Sequence, residues 1–210
     1  QKPYNKPLDE STPLLGKGKY PPYNYSKARG EKIVRQAVEK GLDAVIVNPA
    51  GMLGPYDFRP SYFGQTTISI ARGRLPALID AGLSWADMRD VAEGMINAGE
   101  KAPPGAKYIF GGNWVKLADI AKITVDITGV KPPGVVLPLW MAKLAAPFAA
   151  YSDRITGRPP RFTPVSIKEL ESNPDLSHAR AKKELGYESR PIEQTVSDTA
   201  SWFKSNGFLQ

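Results

Sequence analysis

Apolar residues fall at helical spacing between Tyr25 and Lys40, where Ala28, Ile33, Val34, Ala37 and Val38 share one face. Gly41 ends that stripe. Ala44-Val45-Ile46-Val47 then make a short unbroken apolar run rich in β-branched residues, the pattern of a strand buried on both faces of a parallel sheet. A helix followed by a buried strand is half of a βαβ unit. The loop from Asn48 to Ser61 carries several Gly and Pro breaks, and a helix follows near Tyr62–Gly73. Asp90 with Glu93 reads as a capping box opening the next helix. Tyr108-Ile109-Phe110 reads as a strand stopped by Gly111-Gly112, Leu117–Thr128 as a helix closed by Gly129, and Val135-Val136-Leu137 as a strand. Leu139–Ile155 is an amphipathic, strongly apolar helix interrupted by Pro147. Ser166 with Glu169 forms another capping box, Ser177 caps a helix closed by Gly186, and Ile192–Ser205 is the last helix. Residues 1–22, rich in Lys, Pro, Gly and Tyr, read as a loop. Strands and helices alternate at first and helices dominate later, so the chain reads as α/β with a helical C-terminal lobe.

Composition narrows the function. With 210 residues, 41% of them hydrophobic, the chain fits one compact domain or a large fragment of a bigger one. No stretch approaches the ~18 uninterrupted apolar residues of a membrane span, and the polar start is not a signal peptide. Without an initiator Met, Gln1 is not expected to be the start of the gene product. The absence of cysteine removes disulfides, thiolate nucleophiles and Cys-ligated metals together, and fits a cytoplasmic location. The net charge of +7 raises the question of nucleic acid, but residues 1–40 hold +5 of it, and basic and aromatic residues do not interleave as a single-strand binder requires. No nucleic-acid or membrane partner is expected. His178 is the single histidine and reads as part of a charged helix start, so neither a metal site nor a Ser-His-Asp triad is expected.

The sharpest local feature is Tyr23-Asn24-Tyr25-Ser26-Lys27. On a helix, positions i and i+4 share a face, so Tyr23 and Lys27 project together. A tyrosine acid/base working near neutral pH needs about 4 kcal/mol of preferential phenolate stabilisation. An adjacent ammonium supplies part of that. A surface pair at a helix start reads equally well from spacing alone, and context decides between them.

That context is a family resemblance. Tyr23–Lys27 followed by Ala28-Arg29-Gly30-Glu31 resembles the Tyr-x-x-x-Lys segment of short-chain dehydrogenases, whose extended members often carry Ser-Lys-x-x-x-Glu here. Asn48-Pro49-Ala50-Gly51-Met52-Leu53-Gly54-Pro55-Tyr56-Asp57 with Arg59-Pro60-Ser61 is similar to the Asn-Pro … Gly-Pro-x-Asp loop of the dihydroflavonol-reductase-like branch. Ser84–Gly94 resembles its Val-Arg-Asp-Val-Ala segment, and Lys183-Glu184-Leu185-Gly186-Tyr187 with Trp202-Phe203 its C-terminal signature. These segments run nearly the whole chain in the order of the extended short-chain dehydrogenase/reductases, within the NAD-dependent epimerase/dehydratase superfamily.

The resemblance implies the C-terminal part of a Rossmann-type parallel sheet plus a mainly helical substrate-binding lobe, with the dinucleotide-binding half absent. Residues 1–60 are then a remnant of the Rossmann domain, and 61–210 mainly the lobe, with some strands returning to the sheet. It implies Tyr23 as proton donor or acceptor and Lys27 on the nicotinamide ribose. Asn48, Pro49 and Gly51 would lie at the cofactor, although Asn48 reads equally as a turn residue before Pro49. Ser61, Arg89 and Trp140 are candidate substrate contacts. Arg89 reads more readily as an ion-pair partner of Asp87, and Trp140 as part of a core stripe with Leu139, Met141, Leu144, Pro147, Phe148 and Tyr151. If that stripe lines a cleft, the small-molecule substrate is bulky and partly apolar. No Gly-x-x-Gly-x-x-Gly follows a strand anywhere in the chain. Binding of NAD or NADP is therefore expected only with the missing half, and this chain alone is expected to be inactive. The alternatives are a nucleotide-sugar epimerase or dehydratase, and a non-catalytic dinucleotide-sensing or scaffold relative. Gly51 stands where epimerases often carry Asn, which favours the reductase. A homodimer through the helix that carries Tyr23 stays open.

Overall fold

A computed structural model describes residues 6–16, 22–75, 77–131, 133–155, 170 and 175–209. The elements run α1 (Pro22–Val38), β1 (Ile46–Pro49), β2 (Gly51–Leu53), α2 (Tyr62–Ala71), β3 (Leu78–Asp80), β4 (Gly82–Asp87), α3 (Met88–Lys101), β5 (Lys107–Phe110), β6 (Asn113–Lys116), α4 (Leu117–Thr128), β7 (Val136–Pro138), α5 (Leu139–Ile155), α6 (Ala179–Leu185) and α7 (Ile192–Ser205). The capping box at Ser166 and Glu169 and much of the leading loop lie outside the described residues.

Strand β1 pairs in parallel with β5, Ile46 opposite Lys107 through Pro49 opposite Phe110. Alternation along β5 then divides the work between its two faces. Tyr108 and Phe110 enter a core with Val91 and Ala98 of α3 and Ala181 and Leu185 of α6. Lys107, on the opposite face, meets Glu31 of α1 at 3.1 Å. Strand β2 pairs in parallel with β4, β4 runs antiparallel to β6, and β3 pairs in parallel with β7. Leu53, Trp85, Ile120, Ile192 and Val196 knit the β2–β4 unit to α4 and α7. The α/β expectation, with parallel pairing and a helical later part, holds.

Several local expectations are corrected. Helix α1 begins at Pro22, ahead of Tyr25, because proline is pre-organised for a first helical position and its missing N–H is no loss there. Its Tyr23 therefore falls in the first turn. Strand β1 sits two residues later than the apolar run, and its side chains are half-buried, or exposed at Pro49, where full burial was expected. The stretch Asn48–Ser61 is not all loop, since Gly51–Leu53 pairs with β4. Helix α3 is capped by Asp87, which accepts from the Arg89 backbone N–H at 2.8 Å, and Asp90 is not the cap. Asp90 instead accepts hydrogen bonds from Arg190.

Strands β3, β4 and β6 escaped the apolar pattern. In β4 the buried positions include Ser84 and Asp87, whose polar atoms are satisfied locally. Ser84 Oγ donates to the Gly112 carbonyl at 3.1 Å and accepts from its N–H at 3.2 Å. Only glycine fits at 112, since a Cβ there would lie 1.6 Å from the Trp85 carbonyl oxygen. Gly129 and Gly186 close their helices with φ of 69° and 72°, the left-handed backbone that favours glycine.

No helix of the described residues is long and apolar enough to cross a membrane.

Candidate functional site

The first turn of α1 brings Tyr23 and Lys27 onto one face. The Lys27 ammonium lies over the Tyr23 ring, 5.4 Å from its centroid. Ser26 Oγ donates to the Tyr23 carbonyl at 2.7 Å, which ties down the turn between them. Tyr23 is 60% exposed.

Tyr23 and its neighbour Asn24 form one rim of a cavity of about 740 Å³. Pro49 to Leu53 form a second wall, α2 from Tyr62 to Ile70 a third, and Leu78, Ile79, Leu83, Trp85, Leu117 and Ile120 the floor. Phe63 meets Trp85 edge-on with ring centroids 4.6 Å apart, an arrangement aromatic pairs favour. The wall is mainly hydrocarbon, and its hydroxyls are largely occupied. Thr66 Oγ1 donates to the Tyr62 carbonyl and Thr67 Oγ1 to the Phe63 carbonyl. Ser61 Oγ donates to Asp57 Oδ2 at 2.8 Å and accepts from the Gly64 N–H, capping α2. Asn24 differs, because its Oδ1 is shut off from solvent and has no hydrogen-bond partner among the described residues. Such a buried acceptor costs about 1–3 kcal/mol while it stays unsatisfied.

Of the residues singled out from sequence, Tyr23, Pro49, Gly51 and Ser61 meet at this cavity; Lys27 stands behind Tyr23. Asn48, Arg89 and Trp140 are not in its wall. The Asn48 amide donates to Glu31 Oε2 at 3.3 Å. Glu31 also pairs with Arg35 at 2.7 Å and Lys107 at 3.1 Å. Burial works against ionising Glu31, yet hydrogen bonds from Arg35, Lys107 and Asn48 prevail and hold its carboxyl below the usual range. This cluster fastens α1 to β1 and β5, and so sets where Tyr23 stands. Arg89 grips both oxygens of Asp87, at 2.9 and 2.7 Å, and reaches Asp198 at 2.7 Å. Trp140 is 63% exposed on α5. His178 is half-buried edge-on to Tyr187, with centroids 5.7 Å apart, and burial, followed by the Lys182 charge, lowers its pKa. It lies away from the cavity.

Glu31 was legible as a motif letter, but its partner Lys107 comes from a distant strand. Glu10 was missed too: its Oε1 accepts from the Ile109 N–H at 2.9 Å and anchors the leading segment beside β5.

Comparison with known proteins places this geometry in context. A model of the "NAD dependent epimerase/dehydratase family" matches residues 2–111. The chain is 30% identical over 195 residues to a putative dihydroflavonol 4-reductase of Synechocystis, covering 90% of this chain and 56% of that protein. It is 31% identical over 192 residues to sterol demethylase protein B of Methylococcus capsulatus, covering 89% and 58% respectively. The crystal structure of gox2253 superimposes with a TM-score of 0.81 at 36% identity, over 100% of this chain and 64% of that one. The chain thus spans somewhat over half the length of these curated relatives and covers their C-terminal part.

Proposed function

The chain belongs to the NAD dependent epimerase/dehydratase family, and from that premise we propose that it supplies the substrate-binding part of an NAD(P)-dependent oxidoreductase. In this reading it acts on a ketone or alcohol with a bulky, largely apolar body. The observation that carries the proposal is the Tyr23 hydroxyl, backed by the Lys27 ammonium, at the rim of a mainly hydrocarbon cavity of about 740 Å³. A cavity of that size suits a molecule of several rings or a long chain.

The residues present fit one end of a dinucleotide. The Lys27 ammonium is free to hydrogen-bond ribose hydroxyls, and Pro49 to Gly51 form a wall at the C-terminal ends of β1 and β5, where ligands of parallel sheets bind. When bound, the nicotinamide supplies or accepts the hydride. Tyr23 delivers a proton to the substrate oxygen in reduction and removes it in oxidation. Lys27 stabilises the resulting phenolate through its positive charge. The cavity wall excludes water and aligns the carbon to be reduced by burying the rest of the molecule. Residues 1–60 belong, in this reading, to the Rossmann-type part, and residues 61–210 build mainly the substrate lobe, with β5 returning to pair with β1.

The test is a steady fall in nicotinamide absorbance when the full-length protein meets bulky ketones. Tyr23→Phe is expected to lower kcat by 10²–10⁴-fold, the typical worth of a positioned acid, with little change in dinucleotide affinity. Product formation without net absorbance change would support an epimerase instead. Turnover that survives Tyr23→Phe would leave a scaffold or sensing role.

A further inference from the structure

Helix α5 is apolar on two opposite faces. Ala142 and Ala146 are buried, and with Leu139 they pack against Ile79, Leu117 and Leu170. Those three partners also line the cavity, so α5 backs one of its walls. On the other side of the helix Trp140, Leu144 and Tyr151 fall at i, i+4 and i+11, which is a single face. They are 63%, 66% and 69% exposed, and Met141 on the flank and Val135 and Val136 just ahead of the helix are exposed as well. From sequence this stripe reads as core, but the fold buries the alanines and turns the bulky side chains out. A helix that faces only water carries polar residues there, and a contiguous apolar patch marks a surface that meets something else.

We propose that this outer face of α5 docks on a lipid bilayer bearing anionic headgroups. Charge supports that occupant. Between Asp126 and Asp153 the sequence holds Lys131 and Lys143 and no acidic residue, in a chain of net charge +7. Tryptophan and tyrosine rings favour the boundary between hydrocarbon and headgroups. Trp140 and Tyr151 stand about 16 Å apart along the axis with Leu144 between them, an arrangement for a helix lying in the plane of that boundary. Another part of the same protein is a poorer occupant. The leading segment, through which any preceding part is joined, lies beside β5, whereas α5 packs on β3 and β7. An apolar substrate dissolves in the bilayer, and docking brings a wall of its cavity to that source. This last link rests on the oxidoreductase reading, and the docking itself does not.

The test is flotation of the full-length protein with vesicles of phosphatidylcholine and phosphatidylglycerol. The wild type is expected to float with them, and to float less as salt rises or when phosphatidylglycerol is left out. Leu144→Glu is expected to lower vesicle affinity about tenfold or more, because it sets a charge in the middle of the apolar face. Trp140→Gln combined with Tyr151→Gln reads the same face if the glutamate variant does not fold. Ile96→Gln, at a residue 63% exposed on α3, is the control and is expected to float as the wild type does. Protein that stays with the buffer overturns the proposal. So does an equal loss in Ile96→Gln, undiminished binding in Leu144→Glu, or a dimer in plain buffer that Leu144→Glu splits, which would make a second copy the occupant. Vesicle binding that responds to Leu144 without any ketone reduction leaves the docking standing and sinks the oxidoreductase reading.

Discussion

Glu31 shows how one carboxylate fixes the helix that carries the proposed acid, Tyr23. Its oxygens hold Arg35 one turn along α1, Asn48 at the end of β1 and Lys107 on β5. The Glu31 and Lys107 side chains are 9% and 10% exposed, so Lys107 depends on Glu31 for compensation of its charge. Removing one member of such a pair leaves an uncompensated charge in a poorly hydrated place. Glu31→Gln is expected to destabilise the fold by about 3 kcal/mol, read as a lower urea midpoint. Adding Lys107→Met to that variant is expected to restore most of the loss, because no buried ammonium then remains. A double variant no more stable than the single one would show that the pair does not govern the docking of α1. Tyr23, Lys27 and Glu31 were all visible in sequence as letters of a motif. What Glu31 does was not, since its partners stand 17 and 76 positions away and only β1–β5 pairing brings them together.

Helix α3 illustrates the same division among elements. Its existence was read from the Asp90–Glu93 capping box, which placed its start too late, because the cap is Asp87. The choice falls to Asp87 since β4 runs straight into the helix, with no loop between Asp87 and Met88. The short strands β3, β4 and β6 were illegible for other reasons: β3 is three residues long, β6 has no buried position, and in β4 the polar Ser84 and Asp87 occupy buried positions. The long helices α4 and α7 were read to their ends, because each carries a full apolar stripe and clear boundaries. Asp87 also gives the element a pH dependence. Burial opposes its charge, but bonds from the Arg89 side chain and backbone and from Thr195 hold its pKa below the usual 3.8. A carboxyl depressed in the folded state binds fewer protons there than in the unfolded chain. Its stabilisation is complete above the unfolded value and disappears as pH falls through the folded one. The thermal midpoint is therefore expected to drop on acidification below about pH 4, and to drop less steeply in Asp87→Asn, which starts from a lower midpoint at neutral pH. Equal acid slopes in the two proteins would remove Asp87 as a source of that dependence.

At the scale of the whole molecule, the chain pairs a large, mainly apolar cavity with what we read as only one end of a dinucleotide site. The residues of that reading were legible because their motifs sit where strands end. The cavity itself was not, since Leu78, Trp85 and Ile120 converge on it from three separate elements. What the 210 residues lack is a Gly-x-x-Gly-x-x-Gly turn after a strand. That turn lets backbone N–H groups of a helix start approach a pyrophosphate, where two or more charge-assisted bonds form at once. Lys27 and the wall from Pro49 to Gly51 offer a handful of contacts in its place, each worth roughly 1 kcal/mol net in water. Association alone costs at least about 4 kcal/mol in lost freedom of motion. The surplus is close to nothing, and even a surplus of about 4 kcal/mol would give a dissociation constant of only about 1 mM. A polypeptide of these 210 residues, titrated with NADH or NADPH in a calorimeter, is accordingly expected to give no binding heat at micromolar concentrations, whereas the full-length protein gives a saturable isotherm. Micromolar affinity in the short polypeptide would mean that the nicotinamide end alone holds the dinucleotide, and that Lys27 and its neighbours contribute far more than ordinary surface contacts do.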